Sequence, residues 1–319
     1  MNTQIDEESR AKAGVPYRIL SLDGGGAKGF YTLGVLREVE AHLGKPLHEA
    51  FDLVFGTSTG AIIASLIALG RTVAEIRELY AEHVVKVMKA SGMAAKTAAL
   101  SDLATEVYGN VGFDQVKTGL GIVATKWMIE RPMIFKGSVA QAHGRVGTFV
   151  AGFGVKMADA VVASCSAYPF FERRTVVTAH GDKIELADGG YCANNPSLYA
   201  IADAIAAVRI EPQDIRLLSV GVGIYPQPKA PFLSMMRWAK YLQSVQLLQK
   251  TLEINTQSMD QLRSILFQDV PTVRISDTFH QPEMATDLFE HDLRKLNLLT
   301  QRGAESFAVR EKLITELLK

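Results

Sequence analysis

Residues 23–29 read Asp-Gly-Gly-Gly-Ala-Lys-Gly, between an apolar, strand-like run (Tyr17–Leu22) and a helix-like run with apolar Phe30, Leu33, Leu36, Val39 and Leu43. A strand that breaks into glycines and then starts a helix aims several bare N–H groups at one point. That point can hold a phosphate, or the negative oxygen that develops when an ester is attacked. The same unit constrains the fold. Strand-like runs recur at Tyr17–Leu22, Phe51–Phe55, Gly121–Lys126, Met133–Phe135, Lys183–Leu186 and Ile215–Val220, with helix-like runs between them. This alternation predicts an α/β fold, a mainly parallel central sheet sandwiched by helices.

The 319 residues are 48% hydrophobic and 21% charged, enough for a substantial core in one large domain or two ordinary ones. The pattern predicts a polar tail over 1–15, a catalytic unit over 16–225 and a mainly helical extension over 226–319. The extension is announced by Pro226, Pro228 and Pro231 and by a Leu-, Met- and Gln-rich stretch. Thr72 and Glu75 form a capping box for a helix reaching Ala90. Beyond it, residues 89–112 are rich in Ala, Ser, Thr and Gly, the composition of a surface helix and loop or of a flap over a pocket.

Lys plus Arg and Asp plus Glu number 34 each, so no global charge favours a DNA or RNA duplex. Two cysteines, Cys165 and Cys192, make no disulfide framework and suit a reducing compartment. No Cys/His cluster has zinc-site spacing, so no metal or other cofactor is expected. The acidic N-terminus lacks the apolar core of a secretory signal. The longest apolar stretch, Ala61–Leu69, is about half of a membrane span. The expectation is a soluble cytoplasmic protein that meets any lipid from the water side.

The second informative segment is Gly56-Thr57-Ser58-Thr59-Gly60, which follows the strand-like Phe51–Phe55 and precedes an apolar helix. This is G-x-S-x-G in the strand–turn–helix context that exposes a nucleophilic serine. Gly56 and Gly60 are expected because a β-carbon two residues either side of the serine would crowd the turn. Gly24, Gly26 and Gly29 also satisfy the dinucleotide fingerprint G-x-G-x-x-G. That reading wants an acidic residue at the end of the next strand, and this chain has Gly-Thr-Ser-Thr-Gly there instead. An oxyanion hole accounts for both segments: N–H groups of Gly24, Gly25 and Gly26 would face Ser58, with Thr59 as a further donor.

A serine nucleophile needs a base. Asp188, in Leu186-Ala187-Asp188-Gly189-Gly190, closes another strand-like run and is the candidate. A conventional triad would place a histidine after the acid. Only His280 and His291 follow Asp188, and neither has a catalytic-looking surrounding. Asp23 reads as a loop-holding acceptor, Lys28 as a solvated lysine, and Asn194 and Asn195 as turn-shaping residues.

Asp23–Gly29, Gly56–Gly60, Asp188–Gly190 followed by Asn194-Asn195-Pro196, and the small-residue run Ala163–Phe171 together resemble the patatin-like phospholipase family, over about residues 17–225. The resemblance implies a Ser58–Asp188 dyad without catalytic histidine, a glycine-loop oxyanion hole, and metal-free cleavage of fatty-acyl esters of membrane phospholipids. The layout also resembles a bacterial subgroup active in antiphage defence and switched on by cyclic oligonucleotides. This implies a cyclic dinucleotide activator, action at the inner membrane surface and a candidate homo-oligomer. The competing class is a nucleotide-binding or assembling scaffold carrying vestigial hydrolase motifs.

Overall fold

The computed structural model describes residues 15–228 and 235–319, with side chains in the second segment from 243 onward. The expected tail over 1–15, apart from Val15, lies outside the described residues, as does Pro231 of the linker.

Among the described residues eight strands form one sheet: β1 (Tyr17–Leu22), β2 (Leu53–Thr57), β3 (Gly119–Lys126), β4 (Arg131–Lys136), β5 (Arg174–Val177), β6 (Lys183–Asp188), β7 (Ile215–Val220) and β8 (Thr272–Ile275). Their order is β5-β6-β3-β2-β1-β7-β8, with β4 also paired to β3. The stretch from β3 to β8 through β2, β1 and β7 is parallel, as the strand–helix alternation predicts. The pairs β3–β4, β3–β6 and β5–β6 are antiparallel. Sequence patterning misses β5 and β8. Each has only four residues, and β8 carries Arg274 in its middle.

The main helices are α1 (Gly29–Leu43), α2 (Thr59–Ala68), α3 (Val73–Leu79), α4 (Met93–Tyr108), α5 (Met157–Ser164), α6 (Ser197–Asp203), α7 (Met235–Leu266) and α8 (Leu293–Leu318). Strand periodicity divides their cores. Leu20, Leu22, Val54, Ile122 and Val220 face one layer with α1, α2, α5 and α8. Ile19, Leu53, Phe55, Val123 and Leu217 face the other, with α6. Helix α8 lies directly on α1, because glycines face each other's backbone there. A Cβ on Gly34 would stand 2.0 Å from the Thr300 carbonyl oxygen, and one on Gly303 2.2 Å from that of Tyr31. The Thr72–Glu75 capping box forms, but the helix it starts widens to a π-helical turn at Tyr80–Val84 before resuming to Lys89.

One detail of the sheet decides where the site lies. Residues 121–123 of β3 pair with both β2 and β4, and residues 124–126 pair with both β4 and β6. Strands β2 and β6 therefore occupy the same edge of β3, β2 along 119–123 and β6 along 124–126. They run toward each other and stop at the Val123–Ala124 junction. Thr57 is opposite Val123 and Asp188 is opposite Ala124. The two chain ends so brought together carry Ser58 and Asp188.

Candidate active site

Ser58 joins β2 to α2 with φ 53° and ψ −122°, a backbone conformation rare for a residue with a side chain. Its glycine neighbours make the turn possible. A Cβ on Gly56 would lie 2.2 Å from the Gly60 carbonyl oxygen, and one on Gly60 2.3 Å from that of Leu22. The turn is secured further by Ser164 at the end of α5. The Ser58 N–H donates to Ser164 Oγ (2.9 Å), and that hydroxyl donates to the Val123 carbonyl (2.6 Å). The Ser58 N–H is thus committed to structure.

Asp188 ends β6 fully buried. Its N–H donates to the Ser166 carbonyl (2.9 Å) and its Oδ1 accepts the Gly190 N–H (2.7 Å). Burial pushes the carboxyl up to about 7, and the Gly190 N–H bonded to it and the neighbouring Ser58 hydroxyl pull the other way. Gly189 lets β6 abut β3 this closely, since a Cβ there would lie 2.1 Å from the Val123 carbonyl oxygen. The small residues Ser164 and Ser166, within the run noted in the sequence, hold the serine turn and the Asp188 backbone respectively.

The glycine loop after β1 faces this pair: a Cβ on Gly24 would come within 3.1 Å of Ser58 Cβ. Its three glycines are not equivalent. The Gly24 N–H is taken by the Asn194 carbonyl (3.0 Å) and the Ala27 N–H by the Leu288 carbonyl (2.9 Å). Among the described residues no protein group accepts the N–H of Gly25 or Gly26. Gly26 needs glycine twice over, with φ +61° and the Leu288 carbonyl oxygen 2.2 Å from any Cβ. Tyr80, in the π-helical turn, donates its hydroxyl to the Gly26 carbonyl (3.0 Å) and fixes the peptide from behind. Thr59, first residue of α2, has no intrahelical acceptor for its N–H.

A cavity of about 550 Å³ opens above Ser58 and Asp188, walled mainly by aliphatic and aromatic side chains. Leu100 and Leu103 come from α4, within the stretch read as a flap or surface helix. Leu252 comes from α7, and Leu288 and Phe289 from the segment before α8. None of the seven histidines lines it, His280 and His291 included. Glu82, His83 and Glu106 bring ligand atoms within 4.8 Å of one another, the one group among the described residues with metal-site spacing, and none of them lines the cavity.

Two polar residues differ from their sequence reading. Lys28 is not solvated: it is 2% exposed and paired to Glu253 of α7 at 3.5 Å, and burial pushes its ammonium below the usual lysine range. Asp23 is the loop-holding acceptor expected, and its partner is Arg274 of β8, bonded through both guanidinium ends at 2.9 and 2.5 Å. Asn194 does more than shape a turn. Besides receiving the Gly24 N–H, it donates Nδ2 to the Gly24 carbonyl (3.1 Å) and to Thr256 Oγ1 of α7 (2.7 Å).

Comparison with known proteins places these residues in a family. The model of the patatin-like phospholipases matches residues 20–201, more than half of the chain. A "cUMP-AMP-activated phospholipase" from Escherichia coli is 67% identical, over 94% of this chain and 93% of that protein. A "cGAMP-activated phospholipase" from Pseudomonas aeruginosa is 27% identical, over 65% and 63%. Patatin-T5 from Solanum tuberosum is 27% identical, over 67% and 62%. With its serine turn, glycine loop and Asp-Gly-Gly strand end all within or beside one sheet junction, the chain belongs to the patatin-like phospholipase family.

Proposed function

We propose that the protein cleaves fatty-acyl esters of membrane phospholipids by two-step acyl transfer, with Ser58 as nucleophile and Asp188 as base, and that a cyclic dinucleotide switches it on. One observation carries the chemistry: the strained turn at Ser58 and the buried Asp188, its carboxyl raised to about 7, end strands β2 and β6 at one junction and line the same apolar cavity. An ordinary aspartate, near pH 4, is a poor base for serine; one near 7 is matched to the task at neutral pH.

Ser58 Oγ attacks the ester carbonyl carbon while its proton passes to Asp188. The oxygen that becomes negative is held by the N–H groups of Gly25 and Gly26, with Thr59 as the third donor. Gly24 shapes the loop instead, since its N–H is already spent on Asn194. The C–O bond to the lysophospholipid breaks, and the departing oxygen takes the proton from Asp188. Water then gives a proton to Asp188 and attacks the acyl-serine. The acyl–oxygen bond breaks, Ser58 recovers its proton, and the fatty acid leaves. Oxyanion donors of this kind are typically worth ~10²–10³ each in turnover. The apolar cavity suits an acyl chain.

The activator reading is supported by the names of the E. coli and P. aeruginosa relatives. The dinucleotides in both names contain an AMP unit. The working site is then the cytoplasmic face of the bacterial inner membrane, and the working assembly a homo-oligomer. No single helix among the described residues is long and apolar enough to cross a membrane. Mass spectrometry of mixed phospholipids incubated with wild type and Ser58→Ala, each with and without cUMP-AMP, tests both parts. Free fatty acid released only by wild type and only with the dinucleotide is the expected result. Equal release by Ser58→Ala would overturn the nucleophile, and equal release without the dinucleotide the switch.

A further inference from the structure

A second cavity, of about 380 Å³, lies on the other side of the glycine loop. Its lining carries more polar side chains than that of the catalytic one. Lys28, Asn194 and Ser276 line it, together with Gln249, Glu253, Thr256 and Gln257 of α7, which recur at the spacing of one helical face. Gln257, exposed, and Glu253, part-exposed, stand toward solvent, while Gln249 is 1% exposed.

Two buried carbonyl oxygens at this cavity have no partner: Gln249 Oε1 and Asn194 Oδ1. Neither is a matter of amide orientation. Gln249 Nε2 donates to Glu253 Oε1 (2.9 Å), and Asn194 Nδ2 to the Gly24 carbonyl and Thr256 Oγ1, so in both the oxygen is the free end. A buried acceptor left without a partner is destabilising, and a bound donor would relieve it. The cavity therefore calls for N–H donors. An anion fits poorly, because Lys28 already faces Glu253 and the other free groups are oxygens.

We propose that this cavity seats a nucleobase of the activating cyclic dinucleotide, its exocyclic amino group donating to Gln249 Oε1. In a uridine–adenosine dinucleotide only the adenine has such a group. The inference rests on the activator reading above and locates it. Only the base enters; the phosphodiester ring, with its two negative charges, stays in solvent beyond the exposed Gln257. The route to the active centre is short. Gly25, Leu252 and Leu288 line both cavities, so the wall between them is the oxyanion loop itself and the two side chains packed on it. Val222, also lining the second cavity, lies 2.6 Å from where a Gly25 Cβ would be. A base pressing on Val222 or Leu288 bears directly on Gly25.

Calorimetric titration of the full chain with cUMP-AMP and with its purine-riboside analogue, in which hydrogen replaces the adenine amino group, tests this. Wild type should bind the analogue about tenfold more weakly, as expected when a buried acceptor loses its donor. The difference should vanish in Gln249→Met. An 8-azido-adenosine photoprobe on wild type, which needs no folded variant, should label peptides of α7 or the glycine loop. Parent and analogue binding wild type equally, a difference unchanged in Gln249→Met, or labelling confined to other elements would each overturn the site. No binding of cUMP-AMP by wild type would overturn the activator reading and the site together.

Discussion

The serine turn and the glycine loop are both strand–turn–helix segments, yet they are held by opposite means. The serine turn is stabilised close at hand. Gly56 packs on Gly60, and the Ser58 carbonyl accepts from Ala61 and Ile62. From afar, Ser164 takes the Ser58 N–H, the Ala193 carbonyl takes the Thr57 hydroxyl and Gly60 packs on the Leu22 carbonyl. The glycine loop depends on distant chain: Asp23 on Arg274, Gly24 on Asn194, Gly26 on Tyr80, Ala27 on Leu288 and Lys28 on Glu253. A serine turn built locally is present whenever its strand and helix form. A glycine loop that leans on Tyr80, Asn194 and the C-terminal third can change its conformation while the serine turn persists. The comparison teaches where control of such an enzyme can be exerted.

The largest test removes the nucleophile or base. Ser58→Ala and Asp188→Asn should each lower phospholipid turnover on the order of 10⁴-fold, measured as fatty acid released. Gly26→Ala, which puts a Cβ against the Leu288 carbonyl at φ +61°, should cost ~10²–10³ in kcat with the serine turn intact. Arg274→Ala leaves the Asp23 carboxylate buried without its partner and should destabilise the fold by ~3–5 kcal/mol in urea unfolding. An undiminished midpoint would show that the loop does not lean on β8.

The pH profile separates function from stability. As the proposed base, Asp188 acts in its deprotonated form, so kcat/KM should rise with pH through about 7. Stability should move the other way. The folded carboxyl holds its proton to about 7 and the unfolded one only to near 3.8. The folded state thus binds more protons in that window, and stability is lost as pH rises through it. Asp188→Asn should gain in Tm relative to wild type between pH 4 and 7. The smallest effect is expected from replacing His280 and His291 together, which should leave hydrolysis near the wild-type rate. A fall to the level of Ser58→Ala would make a triad of the dyad.

Legibility in the sequence follows the same division. Strands β1, β2 and β7 and the serine turn were readable because apolar runs and glycine spacing are local signals. Asp188 was readable as a strand end, but not the antiparallel approach that delivers it, since pairing direction leaves no mark in β6. Strand β8 was hidden by Arg274, which belongs in a buried strand only because Asp23 waits 251 residues away. Lys28 read as solvated because nothing near it announces Glu253. Tyr80 falls inside the helix predicted from Thr72 to Ala90, and its hydroxyl bond to Gly26 carries no sequence signature.

The shared edge of β3 has a consequence for how such chains vary. Ser58 and Asp188 are delivered by separate strands that butt together, so their separation is set by the ladder on which both are threaded. Residues may be gained or lost in the long excursion between β4 and β6 without altering it. A single residue inserted between Val123 and Ala124 would push the two strand ends apart and turn one of them to the opposite face of the sheet.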